Sequence, residues 1–168
     1  AIDPATKAPW YSWKPYQTRQ PTQDEIAQWY TERPQAGVGI TTEGLVVVDV
    51  DGPETVWPPN RECCYDLMGV PQVATPRGGS HYYFRQLRPH SGTIGAIQPH
   101  VDTRADGNLV VLPPTRRLDG TRYEWVGEEL DCGPAGLATP PDWLQAALDA
   151  VGTDRVSLYA SQPFGESI

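Results

Sequence analysis

The sequence predicts an α+β fold, built from short strands joined by tight turns and from helices that carry their own start signals. Three observations support this. Leu45-Val46-Val47-Val48 is an apolar run of strand length that continues into Asp49-Val50-Asp51. Val73 to Thr75 and Ser80 to Arg85 flank Pro76-Arg77-Gly78-Gly79, the pattern of a β-hairpin. Thr22-Gln23-Asp24-Glu25 is a capping box, and Thr139 with Pro140 and Pro141 marks a second helix start.

Taken in order, Ala1 to Pro21 carries Pro4, Pro9, Pro15 and Pro21 among Trp10, Tyr11, Trp13 and Tyr16, and reads as an extended arm packing aromatics onto a core. After the capping box, Ile26, Trp29 and Tyr30 recur at helical spacing until Pro34 stops the helix. Gly37 to Ile40 reads as a short strand, Thr41 to Gly44 as a turn, and Leu45 to Asp51 as a central strand. Prolines 53, 58 and 59 interrupt the next stretch, leaving a short helix around Arg61 to Met68. Beyond the hairpin, Gly92 to Gly95 reads as a loop, Val101-Asp102 as a short strand, and Asn108 to Leu112 as a buried strand ended by Pro113-Pro114. Thr121 to Val126 alternates Tyr123 and Trp125 as a half-buried strand, and Trp143, Leu144, Ala147, Leu148 and Val151 form the apolar face of the last helix. Residues 1–151 are expected to form one domain and residues 152–168 a peripheral tail.

Net charge is -8 with a pI near 4.7, which argues against a protein that grips nucleic acid through bulk basicity. Phosphate contacts therefore have to be local. Arg77, Arg85 and Arg88 flank the hairpin, and Arg104, Arg116, Arg117 and Arg122 lie further on. Arg88, Arg117 and Arg122 read as solvated surface charge. Cys63, Cys64 and Cys132 form neither a disulfide framework nor a zinc pattern, which fits a reducing cytoplasm, and no apolar run approaches membrane-spanning length. Ala1 in place of a methionine suggests a processed chain, with further segments expected outside it.

Along a strand, side chains alternate, so Val47, Asp49 and Asp51 share one face and Val46, Val48 and Val50 the other. Two carboxylates pointing the same way at a strand end repel unless a proton or cation lies between them, and a hard divalent ion such as Mg²⁺ or Mn²⁺ suits oxygen ligands. The plain alternative is one acid in solvent and one capping the turn at Gly52-Pro53. In the hairpin turn, Gly78 and Gly79 are candidates for backbone amides that approach a phosphate, with Arg77 adding charge and His81 reaching the same pocket. A third acid, Asp102, completes the set. Nearby, His100 is a weaker candidate ligand on the same strand face, Asp106-Gly107 reads as a structural turn, and Thr115 and Arg116 are placed to meet a phosphate or template at the rim.

Together these segments resemble the primase-polymerase (Prim-Pol) family of the archaeo-eukaryotic primase superfamily. Its acid-x-acid motif ending a hydrophobic strand is met by Asp49-Val50-Asp51, its small-residue-x-histidine by Gly79-Ser80-His81, and its third acid by Asp102. The Gly-Gly-x-His-x-Tyr-Phe pattern runs from Gly78 to Phe84, and the Gly-Ile-Thr turn at Gly39 to Thr41 and Pro-Pro-Thr at 113–115 also agree. The resemblance covers roughly Lys7 to Val151. It implies a core with an RNA-recognition-like mixed sheet beside a smaller α/β unit, and a strand and helix ahead of the arm that this chain does not show. It implies that Asp49, Asp51 and Asp102 bind Mg²⁺ or Mn²⁺ and that His81, assisted by Arg77 and Ser80, contacts the phosphates of a nucleotide. The implied activity is that of a DNA primase/DNA polymerase joining nucleoside triphosphates to a 3′-hydroxyl on single-stranded or primed DNA, in phage or plasmid type replication and with a fused or partner helicase. A metal-dependent nuclease or phosphodiesterase also clusters acids with a histidine, but no second metal-binding histidine motif is present. A replication-initiator module that binds DNA without catalysis is the other alternative, and the intact acids and His81 speak against it.

Overall fold

The computed structural model describes residues 1–127 and 133–159. Its framework is a six-stranded sheet built around β2 (Leu45–Val50), which runs antiparallel to β4 (Ser80–Arg85) on one side and β6 (Val101–Arg104) on the other. β3 (Gln72–Ala74) and β8 (Glu124–Val126) extend it beyond β4, and β5 (Thr93–Gln98) extends it beyond β6, in the order β5-β6-β2-β4-β3-β8. A separate two-stranded sheet pairs β1 (Val38–Thr41) with β7 (Leu109–Leu112). Among the described residues three α-helices complete the α+β fold: α1 (Gln23–Glu32), α2 (Arg61–Asp66) and α3 (Asp142–Tyr159). Every pairing between these strands is antiparallel, so the central sheet is not the mixed one the resemblance implies.

Burial on both faces explains the unbroken apolar run in β2. Val46, Val48 and Val50 pack with Phe84, Val101, Leu67 and the α3 residues Leu144 and Leu148. On the opposite face, Leu45 and Val47 pack with Tyr83, Val73 and Tyr123, and β7 supplies Val110, Val111 and Leu112. Each such buried side chain contributes on the order of 1.5–3 kcal/mol, enough for this sandwich to fix the register of β2. The acid pattern follows from that register: Asp49 continues the Leu45–Val47 face and is carried to the end of the sheet on the β7 side.

Local signals behave as their chemistry requires. Thr22 Oγ1 accepts from Glu25 N at 3.2 Å and Glu25 Oε2 accepts from Thr22 N at 2.8 Å, so both halves of the capping box are made. Asn60 caps α2 by accepting from Cys63 N at 3.0 Å. The arm packs chiefly against α1, with Tyr11 stacked on Trp29 and Tyr16 edge-on to it at 5.8 and 5.2 Å between centroids. Cys63 and Cys64 are free thiols, and Cys132 lies outside the described residues.

Two boundaries depart from expectation. The loop expected at Gly92 to Gly95 opens into strand β5, because Thr93 N and Oγ1 both bond Thr103 Oγ1, at 3.0 and 2.8 Å. Gly95, at φ +56°, lies within the register shift of that pairing. The last helix, whose apolar face was expected as far as Val151, continues to Tyr159.

Candidate active site

Antiparallel pairing brings the three motifs onto one rung. Asp49 is directly opposite His81 on β4 and directly opposite Asp102 on β6. Residues paired across neighbouring strands share a face, so two carboxylates and an imidazole project together at the edge of the core. His81 Nε2 lies 3.3 Å from Asp49 Oδ1. Behind it, His81 Nδ1 is 3.2 Å from the Tyr83 hydroxyl, which is fully buried. Burial, with the nearby charge of Asp49, holds the Tyr83 phenol far above its ordinary pKa, so it keeps its proton to donate. The consistent arrangement is Tyr83 O–H donating to Nδ1 and Nε2–H donating to Asp49.

Arg104 is the residue that sequence reasoning left unassigned. Lying two positions past Asp102 on β6, it returns to the same face, and its Nη2 reaches Asp102 Oδ2 at 3.0 Å and Asp49 Oδ2 at 3.3 Å. Gly95 N donates to the remaining oxygen, Asp102 Oδ1, at 2.9 Å. Burial alone would raise the Asp49 carboxyl, but the hydrogen bond from His81, joined by the charge and hydrogen bond of Arg104, outweighs it and holds its pKa below the ordinary value.

In front of the rung is a cleft of about 290 Å³ with Asp49, Asp51 and His81 in its wall. Lys7 from the arm, Arg77 from the hairpin turn, Arg104, and Arg117 from the segment before β8 add four cations. Among the described residues, Lys7, Arg77 and Arg117 make no ion pair or side-chain hydrogen bond, and Arg117 Nη1 is buried without a partner. Arg117 is therefore cleft lining, where surface charge was expected. Nothing local in the sequence signals it. A larger cavity, about 460 Å³, lies elsewhere, between the aromatic arm, α1 and β1, and shares only Leu109 with the cleft.

Other site expectations fare unevenly. Asp51 lies just past β2, exposed at the cleft, with its N–H bonded to His100 O at 2.8 Å. The amides of Gly78 and Gly79 are already spent inside the turn, on Thr75 O at 3.0 Å and Thr75 Oγ1 at 3.1 Å, so they do not form a phosphate cradle. Gly79 serves packing: a Cβ there would overlap the Val50 carbonyl oxygen. Ser80 alternates to the face opposite His81 and bonds Gln72 Nε2 at 3.0 Å, which takes its hydroxyl away from the cleft. His100 stands in a turn at φ +66° and not on the Asp102 strand. Thr115 is buried, with Oγ1 accepting from Val38 N at 2.7 Å and donating to Val38 O at 3.2 Å, so it ties β1 to β7 and is not a rim contact. Arg116 is exposed and does not line the cleft.

The oxygen donors of Asp49, Asp51 and Asp102 have the chemistry a hard divalent ion takes. Their disposition does not suit one as it stands: among the described residues no group of three or more His, Cys, Asp or Glu is arranged to hold a metal ion. Arg104 bridges the two acids that would have to converge.

The site is thus an acid–histidine rung on an antiparallel sheet, behind a cleft whose wall carries both acids and cations. The family described as bifunctional DNA primase/polymerase, N-terminal, matches residues 1–143, and the chain belongs to this Prim-Pol family. Membership carries the general class of a primase/polymerase-type nucleotidyltransferase, with nucleotides and DNA as substrates, in a family that is typically metal-dependent. No curated protein matches the chain. No helix among the described residues is long and apolar enough to cross a membrane.

Proposed function

We propose that this domain catalyses template-dependent nucleotidyl transfer, joining a nucleoside triphosphate to a primer 3′-hydroxyl in the cleft before Asp49. The observation that supports it most is the His81–Asp49–Asp102 rung beside Lys7, Arg77 and Arg117, which make no ion pair among the described residues, although the charges of Asp3 and Asp119 act on Arg117. In this reading the triphosphate lies along those cations, with the guanidinium groups of Arg77 and Arg117 donating to its oxygens. His81 Nε2–H, held in place by Tyr83, is positioned to stabilise charge as it grows on the phosphate undergoing attack. Asp49, Asp51 and Asp102 are the residues that would hold Mg²⁺ or Mn²⁺, once Arg104 leaves the acid pair. Such an ion would lower the pKa of the attacking hydroxyl and screen the leaving pyrophosphate.

The test is extension of a primed DNA template by the full chain, with pyrophosphate release measured in parallel. Product lengthening that requires triphosphates, and fails with diphosphates, is the expected result. Shortening of the primer without any nucleotide requirement would instead establish a nuclease, and template binding with neither outcome a non-catalytic module.

A further inference from the structure

We propose that Arg104 is the resident cation of the Asp49–Asp102 pair, that it competes directly with a divalent ion for those carboxylates, and that its displaced guanidinium passes to the phosphates of the nucleotide. This rests on the reading of the cleft as a nucleotide site.

The donor count leads to it. Asp49 and Asp102 face each other across β2 and β6, where like charges directly opposite repel. All four of their oxygens nonetheless have a donor: His81 Nε2 and Arg104 Nη2 for Asp49, Gly95 N and Arg104 Nη2 for Asp102. Among the described residues Arg104 alone touches both acids, and so performs the neutralisation expected of a metal. A divalent ion held by this pair would draw on the same two carboxylates that the guanidinium bonds through their Oδ2 atoms. Two cations cannot share the same carboxylate oxygens at hydrogen-bond distance, so guanidinium and ion would exclude one another.

Arg104 also has a second destination. Its side chain is about one-third exposed and lines the cleft, whereas Asp102 does not. The cleft already gathers Lys7, Arg77 and Arg117, and a planar guanidinium pairs with phosphate as readily as with carboxylate. A single side chain can thus satisfy the acids when the cleft holds no anion and the anion once it arrives, coupling ion entry to nucleotide entry.

Calorimetric titration of Mn²⁺ alone into the full chain tests the competition. Arg104→Met keeps the length of the side chain and removes the charge, and it should bind Mn²⁺ at least about tenfold more tightly than wild type, with Arg104→Lys between them. Unchanged Mn²⁺ affinity in Arg104→Met overturns the proposal. Should that variant be poorly folded, the gain is read from Arg104→Lys, whose ammonium cannot span both acids as the fork does. Asp49→Asn separates this failure from failure of the functional reading: loss of Mn²⁺ binding there keeps the acids as the ion site, while unchanged binding removes both ideas together. The transfer of the guanidinium is read with a fluorescent deoxynucleoside triphosphate in EDTA. Asp102→Asn should bind it several-fold more tightly than wild type, and adding Arg104→Met should abolish that gain. A gain that persists in the double variant would be mere relief of negative charge and would overturn the transfer.

Discussion

Replacing Gly79 by alanine should disable the site without touching any group that carries chemistry. A Cβ at this position overlaps the Val50 carbonyl oxygen and stands 3.0 Å from Gly52 N and 3.1 Å from Thr75 Oγ1. Two of those three neighbours are backbone, so the obstacle has no flexible end to yield. Relief requires the start of β4 to move from the end of β2 by on the order of 1 Å, at a cost of about 1–3 kcal/mol of stability. His81 is two residues further along β4, and its 3.3 Å contact to Asp49 would open to about 4 Å, outside hydrogen-bond range. A misplacement of that size costs roughly 10²-fold in rate. Gly78→Ala is the control: its φ of +78° makes alanine strained, but the nearest atom, Pro53 Cδ at 3.3 Å, is a side chain and the position is exposed. Primer extension at saturating nucleotide, read beside thermal unfolding, should show Gly79→Ala far more impaired than Gly78→Ala. Equal activity of the two variants, with the stability of Gly79→Ala unchanged, would refute the reasoning.

Three further outcomes follow from the same geometry. Tyr83→Phe removes the hydroxyl that meets His81 Nδ1, so it should cost about 0.5–1.5 kcal/mol of stability and lower turnover several-fold while leaving the nucleotide KM nearly unchanged; steady-state kinetics and melting curves check this. Arg117→Ala should raise the KM for nucleotide by about tenfold or more, as loss of one charge-assisted contact, with single-stranded DNA affinity measured by anisotropy little altered. Because the Asp49 pKa is lowered on folding, its ionised form adds stability in full above the ordinary carboxylate value of 3.8, and that share is lost as pH falls through the lower folded value. Melting of wild type and Asp49→Asn from about pH 7 down to about pH 3 should therefore show the difference between them shifting against wild type only at the acid end.

How much could be read without coordinates divides along the range of the interactions. The α1 capping box, the 75–79 turn and the two-faced burial of β2 are set within a few residues, and each stands where the pattern places it. β5 did not show itself, because Thr93 becomes strand only by bonding Thr103. β7 was legible as a buried strand, yet its pairing with β1 apart from the central sheet depends on partners seventy residues distant in the chain. The same holds for the site. Asp49, Asp51, His81 and Asp102 were recognisable one motif at a time, whereas the rung that unites three of them is a matter of register between strands. Arg104 did leave a signal, its i+2 spacing from Asp102, which puts it on the acid face. Lys7 and Arg117 left none, since only tertiary folding carries the arm and the segment before β8 to the cleft. Gly78, Gly79, Ser80 and Thr115 mislead in the other direction: their types suit phosphate binding, and their hydrogen bonds or packing are spent on the fold.

Single-turnover incorporation of one nucleotide onto a primed template by Asp49→Asn tests the acid rung most directly. Asparagine keeps the shape of the side chain and its place opposite His81 and Asp102 while removing the charge. Nucleotidyl transfer centred on this rung predicts a fall of about 10³-fold or more, with circular dichroism and melting still those of a folded domain. Incorporation within about tenfold of wild type would contradict it and move the chemistry away from Asp49.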